Sequence, residues 1–241
     1  MNARAARVWQ HRYRSELEAA QRFQWLSAEL ALRGCSEPIV ALASRAARDE
    51  LTHAKLCREL VEHFGGTIGG HAPSTVSPVA PEHWPRDERL LYELVAMSCV
   101  TETLSTALLG ALVERASDEL TRRTMHAILR DEVGHSQLGW AYLAEQRRKG
   151  VRDCIGQHLP AMLAATVGPD LFRPTLLADP LAEELSGLGS MDRESSRRVV
   201  CETLESVIFP GLERFGIDVA PGRRWLAGGL TRVVTEVASS A

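Results

Sequence analysis

Two nine-residue stretches of the 241-residue chain resemble each other: RDELTHAKL at 48–56 and RDEVGHSQL at 130–138. Each reads Arg-Asp-Glu-x-x-His-x-x-Leu. Asp-Glu occurs four times in the chain, and two of those glutamates are followed by His at the third position. On a helix, residues three apart share a face. Glu50 with His53, and Glu132 with His135, can therefore each grip a metal ion between a carboxylate and an imidazole. One such pair is weak evidence for a site, but two in matching surroundings are much stronger.

The elements that must carry these motifs are helices. Apolar residues recur at helical spacing along most of the chain, and strand-like alternation is hard to find. The pattern predicts a first helix from Arg7 to Arg33, stopped by Gly34, and a second from Pro38 to Phe64, stopped by Gly65 and Gly66. A third runs from Asp87 to Arg115 and a fourth from Ser117 to Lys149. The short joints around 34–38 and 116–118 make two antiparallel hairpins. Between them, residues 65–87 hold four Gly and four Pro and no helical pattern. A structureless stretch this long needs a reason, and a four-helix bundle with one long crossover supplies it. Residues 150–241 read as further helices, one over 190–215 with a kink at Pro210 and one over 221–240. No linker is visible, so the expectation is a single all-α domain over 1–241. Its bundle spans 7–149 and its C-terminal extension, 150–241, packs on that bundle.

Facing helices should each add a carboxylate to the paired motifs. In helix three, Glu102 falls inside the apolar stripe, while Glu93 and Glu114 fall outside it and read as solvated. In helix one, Glu16 lies near the centre of a stripe formed by Trp9, Tyr13, Ala20, Phe23 and Leu30. Glu18 and Glu29 lie opposite, with His11 and Arg22. Glu16 precedes Glu50 by 34 positions and Glu102 precedes Glu132 by 30, so the two halves correspond. Four carboxylates and two imidazoles thus converge inside an apolar bundle. A buried ion-pair network is the alternative, and it would be expensive without a cation. Oxygen-rich donors with one imidazole per metal suit iron or manganese better than structural zinc.

Composition narrows the function. With 28 basic against 31 acidic side chains, the net charge is −3, which offers nothing to track phosphates and argues against a nucleic-acid partner. The basic set is 26 Arg and two Lys, which reads as coding bias. No run of about 18 apolar residues is present, so no membrane span is expected. The N-terminus lacks the apolar stretch of a signal peptide. The five cysteines form no CxxC pair, which argues against a disulfide framework or a cysteine zinc site. The expected location is the cytoplasm.

The pattern of one Glu followed by ExxH, twice, resembles the ferritin-like di-iron carboxylate superfamily over residues 7–149. The resemblance implies that Glu16, Glu50, His53, Glu102, Glu132 and His135 bind two iron ions, a pair that manganese or mixed iron and manganese could replace. The DExxH form is similar to bacterial multicomponent monooxygenases and p-aminobenzoate-type N-oxygenases, and it implies that Asp49 and Asp131 accept hydrogen bonds from the metal-binding imidazoles. N-oxygenases of that type carry a further His where this chain has Ile128. The CxxC pairs of a rubrerythrin's rubredoxin domain are absent, so an electron donor would be a separate molecule. The function implied is an O2-dependent di-iron oxidoreductase, an oxygenase or hydroxylase of a small organic substrate, compatible with a homodimer. The residues after helix four could cap a substrate pocket. The alternative is a ferroxidase or iron-storage and stress-protection protein.

Overall fold

The first helix, α1 (Ala3–Leu32), begins at Asn2, whose side chain accepts from the backbone N–H groups of Arg4 and Ala5, both at 3.1 Å. That satisfies two of the donors a helix start leaves without partners. It ends where Gly34 takes a φ of +63°, a conformation that disfavours any side chain. The chain then reverses into α2 (Glu37–His63), with Pro38 in its first turn. The two helices pack antiparallel along their length, joined near the turn by a Ser27–Ser44 hydroxyl contact of 2.6 Å. The computed structural model describes residues 2–69, 78–146, 155–172 and 185–239, and the side chains of all of these except 169, 170 and 232–239. Part of the crossover, residues 70–77, therefore lies outside the described residues, as do 147–154 and 173–184.

The third helix, α3 (Arg86–Val113), is continuous but not uniform. Its middle, Val95–Glu102, is wound as a π-helix. The hydroxyls of Thr101 and Thr103 donate to the carbonyls of Ala96 (2.9 Å) and Ser98 (3.3 Å), each five residues back. They stitch the widened turns from outside the backbone ladder. By length and hydropathy α3 could also cross a membrane, although its apolar residues form no unbroken run. Here half of its most apolar window is buried within the protein, and it carries two buried acids, Glu93 and Glu102.

The second hairpin closes with α4 (Glu119–Gln146). Asp118 sets its start by accepting from Thr121 N–H at 2.7 Å, while its other oxygen meets His63 of α2 at 3.1 Å. Where α3 and α4 cross, a Cβ on Gly139 would lie 2.5 Å from Cys99 Sγ and 3.0 Å from the Leu94 carbonyl. Only glycine permits that approach.

The C-terminal part adds α5 (Leu159–Val167), α6 (193–214) and α7 (Ala220–Ser239). Asp192 caps α6 by accepting from Ser195 N–H at 2.7 Å. The expected kink at Pro210 is taken up differently. A π-helical turn, Leu204–Ile208, precedes the proline and removes its clash with the preceding turn, and the helix resumes at Phe209. α5 packs on the π segment of α3, α6 on the following part of α3, and α7 on α5. Trp140 of α4 stacks on Phe215 and fills the space over Gly211. The described residues contain no strand, only an isolated bridge between Ser186 and Ser190. The all-α architecture of two hairpins and a crossover is as expected.

Candidate metal centre

The two DExxH motifs sit at one level on α2 and α4, and their reactive atoms meet. One donor atom from each of Glu50, His53, Glu132 and His135 lies within 4.8 Å of every other, and all four side chains are buried. His135 Nδ1 is 3.1 Å from Glu50 and 3.3 Å from Glu132. His53 Nδ1 is 3.3 Å from Glu50 and 3.9 Å from Glu132. Both imidazoles therefore present Nδ1 to the carboxylates.

Their other nitrogens face outward in a crossed arrangement. His53 Nε2 meets Asp131 at 3.4 Å, and His135 Nε2 meets Asp49 at 3.4 Å. Each aspartate thus contacts the histidine of the other motif. An N–H donated to Asp from Nε2 leaves the Nδ1 lone pair free to bind a cation. The sequence placed both aspartates beside imidazoles but did not show which. The signal was there: an Asp one residue before an inward Glu is rotated about 100° round the helix, toward its neighbour.

Glu16 and Glu102 complete the arrangement. Both are buried, Glu16 against Glu50 and Glu102 against Glu132, one from each remaining helix of the bundle. The structure thus brings all six sequence-predicted residues to one place. Glu114 and Glu18 are exposed, as expected. Glu93 is not. It is 2% exposed, accepts from Ala80 N–H at 2.8 Å and faces Arg22 at 3.8 Å. The crossover and α1 cover a side of α3 that helical periodicity assigns to solvent.

The electrostatics describe a cavity built for positive charge. Burial drives Glu16 well above its ordinary range, helped by the charges of Glu50 and Glu132, with Arg12 pulling the other way. Burial does the same to Glu102, reinforced by Glu132 and Glu50. Burial also works to raise Glu50, but the neighbouring His135, His53 and Glu16 outweigh it and bring it down to about 2. Burial works to lower His135, yet Glu132 and Glu50 push it up to about 10. Three buried atoms nonetheless make no aligned hydrogen bond: Glu50 Oε1, Glu132 Oε2 and His135 Nδ1. They crowd one another without donating to one another, as donors aimed at a common central atom do. The donor set fits a di-iron centre.

An open slot of ≈ 690 Å³ adjoins the cluster. Glu16, Glu50, Glu102 and Glu132 form part of its wall, and the rest is largely apolar, including Ala96, Met97 and Leu104 of α3 and Met162 and Val167 of α5. His53 and His135 are not part of that wall, whereas His11 of α1 is. No sequence pattern marks the slot's lining, because it depends on how the C-terminal helices dock.

The rubrerythrin family profile matches residues 11–139, an interval that contains all six cluster residues. This chain belongs to the rubrerythrin family. Membership agrees with the ferritin-like bundle of two hairpins and with a di-iron oxidoreductase in the broad sense. Among solved structures, protein 19 with aldehyde deformylating oxidase activity from Synechococcus is similar in fold, with a TM-score of 0.57 at 16% identity. The likeness covers 93% of this chain and 98% of the other, so it extends over the C-terminal helices as well as the rubrerythrin-type bundle. No curated protein sequence matches the chain.

Proposed function

We propose that this rubrerythrin-family chain is an O2-dependent di-iron oxygenase or hydroxylase of a small organic molecule. The observation that carries this is the slot of ≈ 690 Å³, walled by apolar side chains and by four carboxylates of the cluster. A centre that only oxidises iron needs a polar path for ions, whereas this opening suits an apolar guest. Glu16, Glu50, His53, Glu102, Glu132 and His135 would hold the metals. Two irons bound there would supply the redox chemistry for O2, which amino-acid side chains lack.

The chain's own residues set the conditions for that chemistry. Asp131 and Asp49 hold the Nε2 protons of His53 and His135 and so fix each ring's orientation. Met97, Leu104 and Met162 exclude water from the space beside the carboxylates. The π segment of α3 delivers Glu102 to the cluster and Ala96, Met97 and Thr101 to the slot. Electrons would come from a separate donor, since no CxxC is present. A cytoplasmic homodimer without membrane or nucleic-acid partners completes the reading.

The test is to load the protein with iron, measure metal content and particle mass, and follow O2 consumption with a panel of small organic compounds. The oxidase activity of the Synechococcus protein places aldehydes in that panel. Two irons per chain in a small oligomer, with O2 uptake coupled to product, supports the proposal. Many irons per chain in a large hollow assembly would establish the iron-storage alternative instead.

A further inference from the structure

The slot carries a positive charge beside the centre: Arg12 acts on Glu16 through its field but makes no ion pair with it. Its lining on α1 runs from Val8 to Arg22, which at 1.5 Å per residue is about 21 Å, so the space is long and narrow. Glu16 lies near the middle of this run. Arg12 is one helical turn away, on the same face and in the same wall. Its guanidinium sits over the Trp9 ring at 5.6 Å and pairs with no carboxylate among the described residues. The second arginine of the wall, Arg22, already faces the buried Glu93. The one wall acid outside the cluster, Glu18, is exposed.

Metal loading sharpens the imbalance. Two divalent ions cancel the charges of Glu16, Glu50, Glu102 and Glu132, and Arg12 is then left as a half-buried cation beside a neutral centre. Beyond Glu16 the slot is lined by Ala19, Ala96, Met97 and Met162, with the exposed Glu18 beside them and no further cation until Arg22.

We propose that Arg12 is the head-group site for the substrate, and that the substrate is a linear amphiphile. Its anionic head, a carboxylate or similar oxyanion, pairs with Arg12. Its apolar chain runs past the carboxylates along Ala19, Met97 and Met162, which brings carbons close to the head beside the cluster. This substrate class rests on the oxygenase reading of the slot, but its test needs no turnover.

The test compares decanoate with decan-1-ol, both below their aggregation limits, binding to iron-loaded protein under anaerobic conditions, by calorimetry. A charge-assisted pair predicts that decanoate binds at least ~10-fold tighter than the alcohol. Arg12→Gln should abolish that preference, leave the affinity for decan-1-ol within about twofold and keep two irons per chain. Arg12→Lys should restore part of it. Equal affinities for acid and alcohol in the wild type would overturn the proposal. So would a preference that survives in Arg12→Gln, since the head would then be held elsewhere. Loss of iron together with unchanged head-group preference would assign Arg12 to supporting Glu16 and equally reject the proposal. Tight, Arg12-dependent binding without any O2-dependent product would uphold the site while rejecting the oxygenase reading.

Discussion

At the scale of single residues, the paired motifs have distinct duties that mutation can separate. Glu50 and Glu132 point inward with unpaired oxygens, so Glu50→Ala or Glu132→Ala should abolish iron binding. Iron content staying at two per chain would overturn the assignment. Asp49 and Asp131 meet the outer nitrogens of the imidazoles rather than the inner ones, and Asp131 also accepts from Arg130. Asp49→Asn or Asp131→Asn should therefore weaken iron about 10–100-fold without removing it, as measured by chelator competition. Most of this was legible from helical spacing, because Glu16 and Glu102 stood among apolar neighbours where an acid needs a reason. Glu93 was not legible. It is covered by Ala80, which belongs to a segment without periodicity, and no wheel drawn on α3 alone can show that.

At the scale of elements, helix boundaries came out within a few residues where their signals are local, as at Gly34 and Pro38; the first helix starts at Ala3 rather than the expected Arg7 because Asn2 caps it. Asp118 allows this to be tested. Burial works to raise its pKa, but the Thr121 N–H and His63 outweigh it and hold the pKa below the ordinary 3.8. A depressed carboxylate stabilises the fold above its unfolded pKa, and that stability is lost as pH falls through the lower, folded value. Asp118→Ala should thus cost ~1 kcal/mol at neutral pH, and the difference from wild type should fade in acid denaturation below about pH 3.8. The π segment had no such local signal. Thr101 and Thr103 stitch it, but threonines occur in many ordinary helices, and the widening takes effect through contacts with α4 and α5. The α3–α4 crossing gives a second test. Gly139→Ala puts a methyl 2.5 Å from Cys99 Sγ, and overpacking of this kind should cost ~1–3 kcal/mol in thermal or urea unfolding.

For the whole molecule, four buried acids converge on a centre that is stable only when their charge is met. Cation binding to the folded state alone adds stability by mass action, about 2.7 kcal/mol at a hundredfold excess over Kd. Stripping the metal with a chelator should therefore lower Tm by several degrees, and returning iron should restore it. A Tm indifferent to metal would argue that protonated acids are as comfortable as metal-bound ones. The bundle was readable because its periodicity runs through long helices. The slot was not, since Met97, Met162 and Arg12 come from three elements that meet only after docking.

The crossed contacts between Asp49 and His135, and between Asp131 and His53, carry a consequence for assembly. Each hairpin holds a glutamate and a histidine in correct spacing, yet the residue that steadies each ring belongs to the other hairpin. Neither hairpin is a finished half. Metal capture would thereby work as a proofreading step: a misdocked intermediate would have two loose rings and little hold on iron, so iron should bind tightly only once both hairpins have docked in register.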